Sequence, residues 1–365
     1  MPSLFDPVQM GDLPLPNRMV MAPLTRNRAV AGLKPGDLTV EYYRQRASAG
    51  LIIAEATQIS QMGQGYLDTP GIHSPEQVAA WSKVTDAVHG AGGRIFLQLW
   101  HVGRISHTSL LPGGAAPVSS TDRRPNAQTF SAEGFVNVSQ PRALGDDEIP
   151  DLIADYQQAA RNAIDAGFDG VEVHAANNYL LEQFLRDSVN DRDGPYGGSV
   201  ANRTRLVVEV MEAVSGEIGA RRSGIRLSPM TTFNDTPRDS DPQVLYNHLV
   251  DQLAPLRLAY LHIIQGETGG SRAPEDAVQP FDYDALHQRF IGCWMVNNGY
   301  DRPDAEQALS NGTADLVAFG RPFISNPDLV RRLREDAQLN PLQEDKLYGG
   351  GAEGYTDYPT LDATG

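Results

Sequence analysis

The chain has 365 residues and a formal net charge of −16, with 41% hydrophobic and 21% charged residues. That is apolar material for a large core, and the acidic balance sets nucleic acid and anionic membrane surfaces aside, because both demand a basic patch to neutralise phosphates. The single cysteine, Cys293, excludes an internal disulfide framework and reads as a small buried apolar residue. MPSLFDPVQMGD has no basic region leading into an apolar run, and no apolar stretch reaches membrane-spanning length, so a cytoplasmic protein is expected.

In chain order, short apolar runs rich in β-branched residues alternate with segments of helical period. MVMAPLT (19–25) and LIIAEATQI (51–59) are the first two predicted strands. SPEQVAAWSKVTDAVHG follows as a helix, with Ser74 as N-cap and Pro75 at the first helical position. IFLQLW (95–100) is the third strand, and after it the rhythm breaks. Residues 101–146 hold LLPGGAAPVSS, RRPNAQTFSAEG and an alternating FVNVSQP that predicts a hairpin. This segment reads as an excursion over one end of the fold, a lid or substrate wall.

The rhythm then resumes. DEIPDLIADYQQAARNAIDAG is a predicted helix closed by glycine, GVEVHA (170–175) a strand, and SVANRTRLVVEVMEAVSGEIG a second glycine-closed helix. GIRLSP (224–229), YLHIIQG (260–266), CWMVNN (293–298) and DLVAFG (315–320) complete the strands, and SNPDLVRRLRED predicts a helix with Asn326 as N-cap and Pro327 first. Eight near-continuous apolar strands alternating with helices predict an α/β fold, a closed parallel (β/α)8 TIM barrel forming a single domain over 1–365. No second domain is expected.

In such a barrel chemistry belongs at the C-terminal ends of the strands. Those ends read Thr25, Glu55-Ala56-Thr57, Gln98 with Trp100, His174 with Asn177 and Tyr179, Arg226, Asn298-Gly299 and Gly320-Arg321. The last two pairs predict a phosphate site, because glycines admit close approach of backbone N–H groups and Arg321 adds a two-pronged donor. The competing reading is that both glycines only serve tight turns. Gln98, an amide within an apolar strand, suits the donor and acceptor edge of a pyrimidine, and Arg226 suits the place where a ring gains electrons. Against this stand a Gln satisfied by backbone and an Arg paired to a carboxylate. Together with the phosphate site, the pair points to FMN.

NRMVMAPLTRNR (17–28), YYRQRASAGLIIAEATQIS (42–60), LQLWHVGRISH (97–107), HAANNYL from 174, FGRPFISNPDLVRRL and YGGGAEGYTDYP (348–359) together resemble the Old Yellow Enzyme family of FMN-dependent ene-reductases. The resemblance is closest to the bacterial branch of N-ethylmaleimide, pentaerythritol tetranitrate and glycerol trinitrate reductases. It implies that His174 and Asn177 hold the carbonyl or nitro oxygen of an activated alkene and also bind phenols. It further implies that Tyr179 donates the proton, and that Thr25 hydrogen-bonds flavin O4. Pro23, Leu24, Ala56, Gln98, His174 and Arg226 would border the ring. Asn298, Gly299, Gly320 and Arg321 would hold the phosphate, and Tyr66, Trp100 and Tyr348 would wall the substrate pocket. By the same resemblance, NADPH, or NADH, reduces the flavin in one half-reaction and the alkene is reduced in the next, with net trans addition; nitrate esters are further substrates. A monomer or small homo-oligomer is expected.

GGGAEG (349–354) satisfies a dinucleotide fingerprint, but too few residues follow for a βαβ unit. No His/Cys/Asp/Glu set has metal-ligand spacing, and His101 and His107 read as supporting or surface residues. Asn178 stands where relatives have Gly; it is expected to keep the left-handed turn and place a new side chain near the pocket rim. A flavin-free lyase or isomerase on the same barrel would want a lysine or carboxylate base at a strand end, and Lys34, Lys83 and Lys346 fall at none. A non-catalytic flavin-binding redox sensor would have no use for His174, Asn177 and Tyr179.

Overall fold

Alternation along each strand builds the molecule from inside out. In the fourth strand, Gly170–Ala175, Val171 and Val173 face outward into the core shared with the helices, while Glu172 and His174 turn to the barrel interior. The computed structural model describes residues 1–273 and 280–364. Its strands Met19–Met21, Leu51–Gln58, Ile95–Trp100, Gly170–Ala175, Ser223–Leu227, Tyr260–Ile264, Cys293–Asn297 and Leu316–Phe319 form a closed barrel, each paired in parallel with the next. Val317 against Met19 closes the ring, so the (β/α)8 barrel is observed as expected. Inside, Val20, Leu51, Ile53, Phe96, Tyr260, Met295 and Leu316 fill the lower part, and the hairpin of Val8–Met10 and Leu13–Leu15 adds Met10 and Leu15 to that cluster.

Helix boundaries follow their sequence signals. Pro75–Gly90 starts with Ser74 Oγ accepting from Gln77 N and Gln77 Oε1 accepting from Ser74 N, a reciprocal cap. Ile149–Asp165 and Val200–Ile218 are followed by Gly167 and Gly219 at φ of 90° and 92°. One expectation is corrected: Asn326 does not begin a helix. Its amide closes the preceding helix Arg321–Ser325 by donating to the Pro322 carbonyl at 2.8 Å, and the next helix starts at Leu329 with Asp328 before it.

The excursion contains the expected hairpin, Gln128–Ser131 against Gly134–Asn137, and a short parallel pair, Val118–Ser119 with Arg142–Ala143. Val102, Ile105 and Val138 from it pack with Ala56, Trp100 and Tyr179, so it lies against the C-terminal end of the barrel. Cys293 is buried and its thiol is pushed up to about 12, chiefly by burial. Among the described residues no helix is long and apolar enough to cross a membrane.

Candidate active site at the C-terminal end of the barrel

His174 is the last but one residue of the fourth strand, and the turn after it is left-handed at two consecutive residues, Asn177 (φ 58°) and Asn178 (φ 59°). Asparagine tolerates this region better than most residues, which explains the unusual pair. The backbone N–H of Ala176 donates to His174 Nδ1 at 3.3 Å, so the ring proton lies on Nε2. Burial, reinforced by Arg226 and His262, holds the imidazole well below its ordinary range. His174 is therefore a neutral donor through Nε2. Asn177 is fixed similarly: Thr268 Oγ1 donates to its Oδ1 at 2.7 Å, which leaves the amide NH2 as a donor. Its backbone N–H is held by Ser228 Oγ at 2.8 Å.

Tyr179 lies next to this pair, with its ring centroid 5.2 Å from His174 and 5.0 Å from Trp100, edge-on to both. Its hydroxyl is 3.2 Å from that of Tyr66, whose ring stacks on Trp100 at 5.8 Å. Burial pushes the Tyr179 phenol up to about 12, against the lowering effect of the Tyr66 contact. It is a protonated acid at neutral pH. Tyr348 is largely exposed yet close enough to Tyr66 and Tyr179 to raise both phenols.

Below this cluster the sequence reading named two residues of a larger set. Gln98 Nε2 donates to Glu172 Oε1 at 2.7 Å, and Glu172 Oε2 lies 2.8 Å from His262 Nδ1. Glu172 and His262 are completely buried. Burial raises the Glu172 carboxyl, but His262, Arg226 and Gln98 outweigh it and hold the group below its ordinary value. Arg226 donates through Nη2 to Asn297 Oδ1 at 2.8 Å, and burial lowers its guanidinium while Glu172 opposes that. Glu172, His262, Asn297 and Thr268 were missed. A charged residue at the second place before His174, on the same face of an otherwise apolar strand, was the available signal for Glu172.

The remaining residues occupy the same end. Pro23 is buried, and Leu24 and Thr25 are half-buried just past the first strand. A register shift between Ala54 and Thr57 sends Glu55 toward Tyr43, which donates to it at 3.3 Å, while Ala56 packs beside Trp100. Asn298 uses its side chain on the loop after the sixth strand, donating to Gln265 and Glu267 carbonyls at 2.7 and 2.8 Å, so only its backbone is free for an anion. Gly299 sits at φ 66° with no heavy atom within 4 Å of an added Cβ, and at Gly320 a Cβ would meet only Leu24 Cδ2, at 3.4 Å. Arg321 opens the short helix Arg321–Ser325.

This arrangement fits FMN. Arg226 Nε is buried without a partner among the described residues, Gln98 retains Oε1 and one N–H, and Gly299 and Gly320 leave room for an anion beside a helix start. Asn178 departs from expectation. Its side chain is fully buried and donates to the Phe233 carbonyl, so it braces a neighbouring loop and does not line the pocket rim. His101 is buried, accepts from Gly103 N at 3.0 Å and is pushed down to about 3 by burial, whereas His107 caps an exposed turn. GGGAEG forms turns whose carbonyls accept from Arg26 and Arg28. Among the described residues no group of three or more His, Cys, Asp or Glu could hold a metal.

The chain is similar to known proteins over almost its whole length. The chain is 47% identical over 365 residues to 12-oxophytodienoate reductase 1 of Oryza sativa subsp. japonica, covering 98% of this chain and 93% of that one. It is 42% identical to 12-oxophytodienoate reductase 2 of Arabidopsis thaliana, covering 99% and 96%. Among solved structures, morphinone reductase in complex with tetrahydroNAD superposes with a TM-score of 0.93 at 46% identity, covering 100% and 99%. The old yellow enzyme homologue from Zymomonas mobilis gives 0.94 at 44%, covering 99% and 100%. These relatives do not single out the bacterial maleimide- and nitrate-ester-reducing branch. The model of the NADH:flavin oxidoreductase / NADH oxidase family matches residues 3–340, and the chain belongs to that family, as an enzyme of the Old Yellow Enzyme type.

Proposed function

We propose that this enzyme reduces the C=C bond of activated alkenes, such as α,β-unsaturated ketones and aldehydes, maleimides and nitroalkenes, with FMN as cofactor and NADPH as the donor. The observation that carries this reading is the pair of donors with fixed orientation: His174 through Nε2, because Nδ1 accepts from Ala176, and Asn177 through its NH2, because Oδ1 accepts from Thr268. Two such donors on one turn, both bound to a single substrate oxygen, stabilise the negative charge developing on a carbonyl or nitro group. FMN, when bound, supplies the hydride for the β-carbon.

The residues do the rest. Gln98, Arg226, Pro23, Leu24, Thr25 and Ala56 border the ring, and Gly299, Gly320, Arg321 and the backbone of Asn298 hold the phosphate. His174 and Asn177 grip the substrate oxygen and draw electron density toward it. Tyr179 O–H, protonated and buried, delivers the proton to the α-carbon. Tyr66, Trp100, Tyr348 and the 101–146 excursion exclude water from the reacting carbons. Tyr66, hydrogen-bonded to Tyr179, aims the phenol and lowers its pKa. Phenols bind by placing their oxygen between His174 and Asn177. Nitrate esters are further substrates, and a cytoplasmic monomer or small homo-oligomer completes the reading.

The test is an absorbance spectrum of the purified protein, titrated with a para-substituted phenol and then with NADPH without oxygen. A yellow protein that develops a long-wavelength charge-transfer band and then bleaches supports the assignment. A protein that cannot be loaded with FMN overturns it.

A further inference from the structure

The Glu172–His262 pair has no part in the reaction just outlined, yet it occupies the barrel interior beside the two residues assigned to the flavin ring. Glu172 Oε1 takes a hydrogen bond from Gln98 at 2.7 Å, and Oε2 lies 2.8 Å from His262 Nδ1. Strand register explains the meeting: Glu172 stands opposite Gln98 across one neighbour, and Arg226 stands opposite His262 further round the barrel. A carboxylate and an imidazole with no exposure are costly to bury, and such a pair persists where an apolar pair could not do its work. Arg226 and the Tyr260 phenol face the carboxylate from the fifth and sixth strands.

We propose that Glu172 is a positioning residue for the flavin, locking the Gln98 amide in one orientation and offsetting the positive charge of Arg226 at the pyrimidine side of the ring. This rests on the FMN reading above. A carboxylate can only accept, so the end of the Gln98 amide that faces Glu172 must be nitrogen, and Oε1 with the second N–H is left for the ring. The same charge opposes build-up of negative charge on the reduced ring, which Arg226 favours. Glu172 thereby sets how readily the flavin is reduced, without touching it.

Glu172→Gln removes the charge and frees Gln98 to flip. In the FMN-loaded protein, dye equilibration should show the balance shifted toward reduced flavin by at least tenfold at fixed potential, a rise of about 30 mV for a two-electron couple. Apoprotein titrated with FMN should show weaker binding. Glu172→Asp keeps the charge but shortens the reach to Gln98; its reduction balance should stay within about threefold of the parent while FMN binds more weakly. A Glu172→Gln protein that holds FMN at the parental potential overturns the inference. Should Glu172→Gln retain no FMN, Glu172→Asp decides: weaker FMN binding at the parental potential supports the inference, whereas full affinity or a shift of tenfold or more overturns it. A parent that binds no FMN withdraws the function reading itself, and this inference with it.

Discussion

Tyr179 combines three properties that a proton donor needs: burial, a phenol raised to about 12, and a neighbour, Tyr66, that fixes its hydroxyl at 3.2 Å. Tyr179→Phe should slow alkene reduction by roughly a hundredfold or more while leaving flavin reduction by NADPH nearly unchanged, as stopped-flow measurement of the two half-reactions would show. Equal slowing of both would remove the residue from proton transfer. His174→Ala should weaken phenol binding with the flavin retained. Thr268→Val tests the same anchor from behind, because it deletes the hydrogen bond that turns the Asn177 amide outward. Phenol affinity should fall about five- to tenfold, on the scale of about 1 kcal/mol for one hydrogen bond, and unchanged affinity would show that Asn177 orients itself.

The turn after the fourth strand shows what a linear reading can and cannot reach. His174, Asn177 and Tyr179 were legible because their spacing is local, and the eight strands were legible because each is a short apolar run. Glu172, His262 and Thr268 were not, because what makes them important is a partner from a different part of the chain. Asn178 illustrates the same limit: its left-handed backbone was foreseeable, but its bond to Phe233 is long-range. Asn178→Ala should destabilise the protein by about 1–2 kcal/mol through backbone strain alone. Asn178→Gly should relieve that strain but lose the brace. Urea unfolding of both variants would separate the contributions, and equal midpoints for Ala and parent would refute the strain.

Across the whole molecule, buried neutral histidines tie stability to pH. His101 is pushed from 6.5 down to about 3, so its contribution is complete above pH 6.5 and is lost as pH falls toward 3. His174, also depressed, acts in the same direction. Between pH 6 and 4 His101 removes about 1.4 kcal/mol of stability per pH unit. His101→Asn, which keeps an acceptor for Gly103 N but does not titrate, should flatten the slope of urea-derived stability over that range; an unchanged slope would assign acid sensitivity elsewhere.

The C-terminal segment depends on residues near the start of the chain. Arg26 donates to the Leu347 and Gly354 carbonyls at 2.8 Å each, Arg28 to Lys346 at 3.1 Å, and Arg46 to Ile324 at 2.7 Å. Tyr42 and Tyr355, stacked at 4.2 Å, lie between these guanidiniums. During synthesis the three arginines are made about 300 residues before their acceptors, at roughly 5–20 residues per second. Until residues 324–354 are made, these guanidiniums have only local partners such as the Tyr42 carbonyl, which accepts from Arg46, and Tyr348 is absent. The eight strands of the barrel are all made by Phe319, but the wall beside Tyr66 and Tyr179 is not complete until Tyr348 has followed them.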